Sequence, residues 1–155
     1  MKRQIAKGLA MLGLTLALAA SAAAVANGQT NQALKAQVPF EFVVGEKTLA
    51  AGQYDVRAID PTGDAFAVTS RSGGDTAVRL ASAAQRRGEA GAAKLVFHRY
   101  GSTYFLSQIW MAGEISGHEL TLSKQERAMQ RELKSTAAYR VERKPVYEIV
   151  EVTAR

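Results

Sequence analysis

The sequence predicts a mainly β protein: one antiparallel β-sandwich or small barrel of about seven to eight strands, followed by a C-terminal α-helix. Three observations carry that expectation. Short apolar runs alternate with period two and are rich in aromatic and β-branched residues, as at Val38–Val44 and Gln53–Ile59. Turn chemistry separates such runs, at Asp60-Pro61-Thr62-Gly63, Arg71–Asp75 and Gly101-Ser102. After Ser123 the pattern changes to a helix start.

In Val38–Val44, the residues Val38, Phe40, Phe42 and Val44 share one face, so the run reads as one half-buried strand. Pro39 has no N–H for a ladder, which places the start of this strand at an edge. Gly45-Glu46-Lys47 turns the chain. Gln53–Ile59 then points Tyr54, Val56 and Ala58 inward. Asp60-Pro61-Thr62-Gly63 suits a tight turn, with Pro fixing φ and Gly closing it. Ala65–Ser70 and Thr76–Leu80 are further strands, separated by the turn at Arg71–Asp75. Ala81–Ala93 is rich in Ala, Gly and Arg and reads as a loop or one helical turn.

The strongest hairpin signal is Lys94–Tyr100 and Thr103–Trp110 around Gly101-Ser102. A regular register sets His98 opposite Phe105, Phe97 opposite Leu106 and Val96 opposite Ser107. One face then collects Leu95, Phe97, Tyr104, Leu106 and Trp110, and the other Val96, His98, Tyr100, Phe105 and Ile109. Two apolar faces argue a central position. Gly113–Gly117 reads as a loop. Ser123-Lys124-Gln125-Glu126 fits a capping box opening a helix, with a thin apolar stripe of Ala128, Met129 and Leu133. Beyond it, Tyr139–Glu142 and Val146–Val152 read as extended.

Residues 1–30 contain no acidic side chain. Lys2, Arg3 and Lys7 precede an apolar run from Gly8 to Ala20, and Ala-x-Ala options follow at Ala20–Ala22 and Ala24–Ala26. This is the composition of an export signal, and it implies a periplasmic or secreted protein. The chain divides into a signal peptide at 1–26, a flexible leader at 27–36, a β-domain at 37–122, a helix at 123–138 and an extended segment at 139–155. Cysteine is absent, which excludes disulfides, thiolate metal sites and thiol catalysis.

The net charge of +6 is unevenly spread. Three of the positive charges lie in the signal. Residues 31–123 carry nine basic and nine acidic side chains, and residues 124–144 carry seven basic against three acidic. The basicity is therefore a property of the signal and one C-terminal segment, and no nucleic-acid partner is expected.

The search for chemistry yields no catalytic residue. No Ser lies in G-x-S-x-G, and no Ser is followed three residues later by Lys. The two histidines, His98 and His118, lack metal-ligand spacing, so no metal site and no cofactor are expected. His98 reads as a hydrogen-bonded strand histidine and His118 as an exposed loop residue. Phe97, Tyr104, Phe105 and Trp110 are candidates for lining an apolar ligand pocket, against the simpler reading of core filling. Arg99 beside Tyr104 is placed for a cation–π pair. Arg127, Arg131 and Lys134, spaced by four and three, share a helical stripe and are candidates for contact with an anionic surface.

Two stretches carry a resemblance. Val38–Gly45 running into Leu49–Val56 resembles the "PF-x-F…LPAG-x-Y-x-V" opening of a family of uncharacterised exported bacterial β-proteins, with Ala50 where that pattern has Pro. Leu95–Gly101 and Phe105–Trp110, with Glu119-Leu120 and Ser123–Arg127, resemble the family's second half. The resemblance implies export and an all-β body with a charged C-terminal segment, and it supplies no catalytic residue. The expected function is a non-enzymatic exported β-module that binds an envelope polymer, an anionic lipid surface, a carbohydrate or a partner protein. The alternatives are a carrier of a small apolar ligand in a barrel pocket, and a hydrolase using His98 with an Asp or Glu.

Overall fold

The computed structural model describes residues 33–86, 88–135 and 146–155. The expected signal peptide at 1–26, the helical residues expected at 136–138 and the expected extended run at Tyr139–Glu142 lie outside the described residues.

The described chain is mainly β, with ten strands in an open mixed sheet and a single helix. The strands are β1 (Leu34–Val38), β2 (Phe42–Val44), β3 (Lys47–Leu49), β4 (Gly52–Ala58), β5 (Ala65–Ser70) and β6 (Thr76–Gln85). They continue with β7 (Lys94–Tyr100), β8 (Thr103–Trp110), β9 (Ser116–Leu120) and, after the helix α1 (Lys124–Ser135), β10 (Glu148–Thr153).

Several boundaries differ from the sequence reading. Val38–Val44 is not one strand: Pro39, Phe40 and Glu41 interrupt it, and β1 and β2 join different partners. A residue without an N–H breaks the ladder, and the chain crosses there. β1 begins at Leu34, inside the stretch read as a leader, because Leu34, Ala36 and Val38 alternate into the core. β6 continues through Ala81–Gln85, where a loop or helical turn was expected, since its second half pairs with β9. β9 itself occupies the end of the expected loop at Gly113–Gly117 and carries His118.

β1, β4, β5 and the first half of β6 form an antiparallel series, joined by the turns the sequence indicated. In the β4–β5 connection, Asp60 Oδ1 accepts from the Thr62 and Asp64 amides at 3.1 and 2.9 Å, and Oδ2 accepts from the Ala65 amide at 2.8 Å. The Thr62 hydroxyl and the Asp64 amide, in that order, hold the Asp60 carboxyl below its usual range. The long strand β6 then passes the sheet on to β9, β8, β7 and β10. β8 is central, as its two apolar faces demand. β7 runs along one of its edges, while β9 and the parallel strand β2 share the other. The two ends of the series meet at a seam, where Ala36 of β1 bridges Ala154 beyond β10. There Lys35 and Arg155 exchange two backbone hydrogen bonds, of 2.7 and 2.9 Å.

Between these strands the interior is filled. Phe42, Phe66, Phe97, Leu95, Ile109 and Val56 are sealed from solvent. Phe97 receives Phe40 and Phe42 edge-on at 5.2 and 5.4 Å, and Phe42 meets Tyr54 in the same way at 5.0 Å. The Tyr54 hydroxyl, buried at the end of this chain of rings, donates to the Ala50 carbonyl at 2.5 Å. Burial pushes its ionisation upward, with the negative charge of Asp75 acting in the same direction.

The β7–β8 register matches the expected one from Tyr100 opposite Thr103 to Phe97 opposite Leu106. It then shifts. Val96 lies opposite Gln108, so Ser107 is an extra residue, a β-bulge. Beyond the bulge every side chain changes face. Ile109 joins Leu95, Phe97 and Leu106 in the main core, and Trp110 leaves it. The Trp110 indole lies over Gly117, its cross-strand partner on β9, with the Arg86 guanidinium 4.6 Å from the ring. A Cβ at Gly117 would run into that ring.

Trp110 is the sole tryptophan, so its fluorescence reads this packing directly. Gly117→Ala is expected to displace the indole, shift its emission to longer wavelength and cost about 1–3 kcal/mol in denaturant unfolding. An unchanged spectrum with unchanged stability would show that the glycine is not what seats the ring.

Candidate functional site

Strands β7 and β8 and the start of α1 create a buried polar cluster on the side of the β7–β8 hairpin away from the main core. His98 and Tyr100 project from β7 on that side, and the Ser107 hydroxyl of β8 meets His98 there. Val43, Phe105 and Tyr100 form a small second apolar cluster there, against which Met129 of α1, Val146 and Tyr147 pack. Ser123 starts the helix as expected: its hydroxyl accepts from the Glu126 amide at 3.0 Å, and its carbonyl accepts from the Arg127 amide at 3.1 Å.

The other half of the expected capping box is absent. Glu126 Oε1 is turned onto the sheet, where it lies 2.8 Å from His98 Nδ1 and accepts from the Tyr100 hydroxyl at 3.2 Å. On the far side of the imidazole, Nε2 lies 2.9 Å from Ser107 Oγ. The geometry fits Nδ1–H donating to the carboxylate and the Ser107 hydroxyl donating to Nε2. Gln130, one turn beyond Glu126, donates to the Tyr100 hydroxyl at 2.7 Å, and the Tyr147 ring stacks on His98 at 3.9 Å. Burial, followed by the negative charge of Glu126, drives the Tyr100 hydroxyl's ionisation strongly upward and keeps it a donor; the bond from Gln130 opposes this.

The serine–imidazole–carboxylate order is the connectivity of a nucleophilic triad. Its accessibility is not. Relative exposures are 2% for Ser107, 8% for His98 and 3% for Glu126, and Tyr147 and α1 cover the imidazole. In this state no substrate carbonyl can approach the Ser107 hydroxyl. What the cluster does here is fasten α1: Glu126 is the buried residue of the helix, and it is held by two donors from β7.

The residues singled out in the sequence are distributed as follows. Phe97 is in the main core and Phe105 in the second cluster. Tyr104 stacks on Phe40 at 4.0 Å, with the Arg99 guanidinium 5.6 Å from its ring, which is the expected cation–π pair. Trp110 packs on Gly117, and its Nε1–H donates to Gln108 at 3.0 Å. The four aromatics therefore line no shared pocket; three different environments absorb them. Arg127, Arg131 and Lys134 are exposed on α1, and among the described residues none of them forms an ion pair. Arg140, Arg143 and Lys144 lie outside the described residues. His118 is half-buried in β9 rather than exposed in a loop, with its ring 4.6 Å from that of Phe66. Among the described residues no group of three His, Asp or Glu side chains converges on a metal position.

Sequence reasoning had His98 as a hydrogen-bonded strand residue but missed its partners. Ser107 already fell on the face of His98 in the regular register but was not read as its partner, and Glu126 was hidden by a capping motif that accounted for it locally. The available signal was the pair His98 and Tyr100 on an otherwise apolar face, since buried polar groups require partners. Comparisons of the chain with protein-family models, curated proteins and solved structures return no match.

Removing the carboxylate leaves His98 Nδ1 and the Tyr100 hydroxyl without their shared acceptor. Glu126→Ala is therefore expected to cost about 3 kcal/mol and to raise hydrogen exchange across Lys124–Ser135. Glu126→Gln retains an acceptor oxygen and should cost less. A loss below about 0.5 kcal/mol for Glu126→Ala, with the helix still protected, would show that the network does not hold it.

Proposed function

We propose that this chain is a non-enzymatic exported β-module that contacts an anionic component of the cell envelope through one face of α1. The observation that carries the reading is the helix's two-sidedness. Glu126 is fastened to β7, and Met129 and Gln130 continue the inward side. At 3.6 residues per turn, Arg127, Arg131 and Lys134 fall within an arc of about 60° on another side. They are exposed and unpaired within the described structure. A helix fixed by a buried carboxylate presents these cations in a constant direction. Each basic residue near an anionic surface adds about 1 kcal/mol of attraction, so three on one stripe suffice for reversible contact. The buried core favours this over a carrier of apolar ligands, since Phe97, Leu95 and Ile109 pack there out of contact with solvent. Export rests on the composition of residues 1–26.

Full-length protein carrying Arg127→Glu and Arg131→Glu is expected to bind vesicles containing phosphatidylglycerol at least tenfold more weakly at low salt, with the difference shrinking at high salt. Equal sedimentation of the two proteins with those vesicles would remove the proposal.

A second reading is a hydrolase whose nucleophile is Ser107. The specific observation in its favour is the Ser107–His98–Glu126 connectivity at 2.9 and 2.8 Å. It requires Tyr147 to leave the imidazole before a substrate can enter. A fluorophosphonate probe distinguishes the two readings. The binding module predicts no adduct at Ser107 by peptide mass analysis, whereas a working nucleophile gives a stoichiometric adduct that His98→Ala abolishes.

A further inference from the structure

The seam between the two ends of the sheet contains a cleft of about 270 Å³, remote in sequence from the α1 stripe. Ala36 and Ala154, the bridged pair, line it. Lys35, Arg71 and Arg155 also line it, bringing three cations from β1, the end of β5 and the residue after the bridge. The one carboxylate engaging any of them is Asp55, whose Oδ2 lies 3.6 Å from Arg71 Nε. That contact orients the guanidinium and leaves its terminal nitrogens unengaged. Lys35 Nζ and the Arg155 guanidinium have no side-chain partner among the described residues. The backbone groups of Lys35 and Arg155 satisfy each other, so recognition at the cleft falls to side chains. Gln37 and Gln53, opposite each other on β1 and β4, add amides beside the cations.

We propose that this cleft is a binding site for the oxyanion group, phosphate or carboxylate, of a small polar ligand. Arginine supplies paired N–H donors to such a group, and lysine supplies a point charge. A concave site lined by cations and neutral donors fits an anion attached to a hydroxylated body. The site is independent of α1, and it stands or falls separately from the vesicle contact.

The test is a titration of isotope-labelled full-length protein with inorganic phosphate in one arm and glucuronate in the other, followed by amide chemical shifts. The expected result is saturable shifts centred on Lys35, Gln37, Gln53 and Arg71 with at least one of the two anions, and the stronger arm identifies the chemistry. Lys35→Gln with Arg71→Gln should weaken that binding at least tenfold. Arg127→Glu with Arg131→Glu should leave it unchanged. No saturable shift at the cleft with either anion overturns the site, as does full binding by the Lys35/Arg71 variant.

Discussion

The arrangement of this molecule around its helix depends on one buried contact, the carboxylate of Glu126 on the imidazole of His98. A short helix with few apolar residues facing the body has little hydrophobic burial to hold it. Among the described residues α1 contributes Met129 to a small cluster, while Arg127, Arg131 and Lys134 are in solvent. Hydrogen bonds to a charged group are stronger than those between neutral ones, and burial sharpens the penalty for losing them. The contact is therefore directional where hydrophobic packing would not be. It fixes how α1 is rotated, and through that rotation which side chains face outward. Such a network is held together by mutual satisfaction: Ser107, His98, Glu126, Tyr100 and Gln130 each supply a partner for the next.

The core beneath that contact depends on a single extra residue. Without the bulge at Ser107, the alternation of β8 would carry Ile109 onto the helix side and Trp110 into the core. With it, Ile109 enters the core and Trp110 covers Gly117. One inserted position thus sets which residues at the end of β8 fill the apolar core.

This explains what was legible in the sequence. Period-two patterning and turn residues are local, and they yielded the β class, the β4–β5 turn and the β7–β8 hairpin with its register up to Phe97. A bulge leaves no local mark, because Leu106-Ser107-Gln108 reads as ordinary strand. The partner of His98 is 28 residues away, and Glu126 had a complete local explanation as a capping residue. Pro39 was legible as a break in hydrogen bonding but not as a crossing between partners. That distinction depends on which strand receives β2, a long-range matter. The failures share a cause: they are all places where tertiary pairing chose between two locally acceptable arrangements.

The charge distribution follows the same logic of local neutrality and directed exception. Residues 31–123 balance nine basic against nine acidic side chains. Basic residues of this stretch also pair across strands with acidic residues of β10, as Lys94 does with Glu151 at 2.6 Å and Arg99 with Glu148 at 3.2 Å. Exposed pairs of this kind add little stability, but they cancel the field of the sheet's outer surface. Against that cancelled background, uncompensated cations acquire meaning by position rather than by number. They occur on the outward side of α1 and around the seam. The first location is set by the buried carboxylate and the second by the meeting of β1 with the residues after β10. In both, long-range pairing decides where the charge points, which is why net charge and pI alone gave no indication of either.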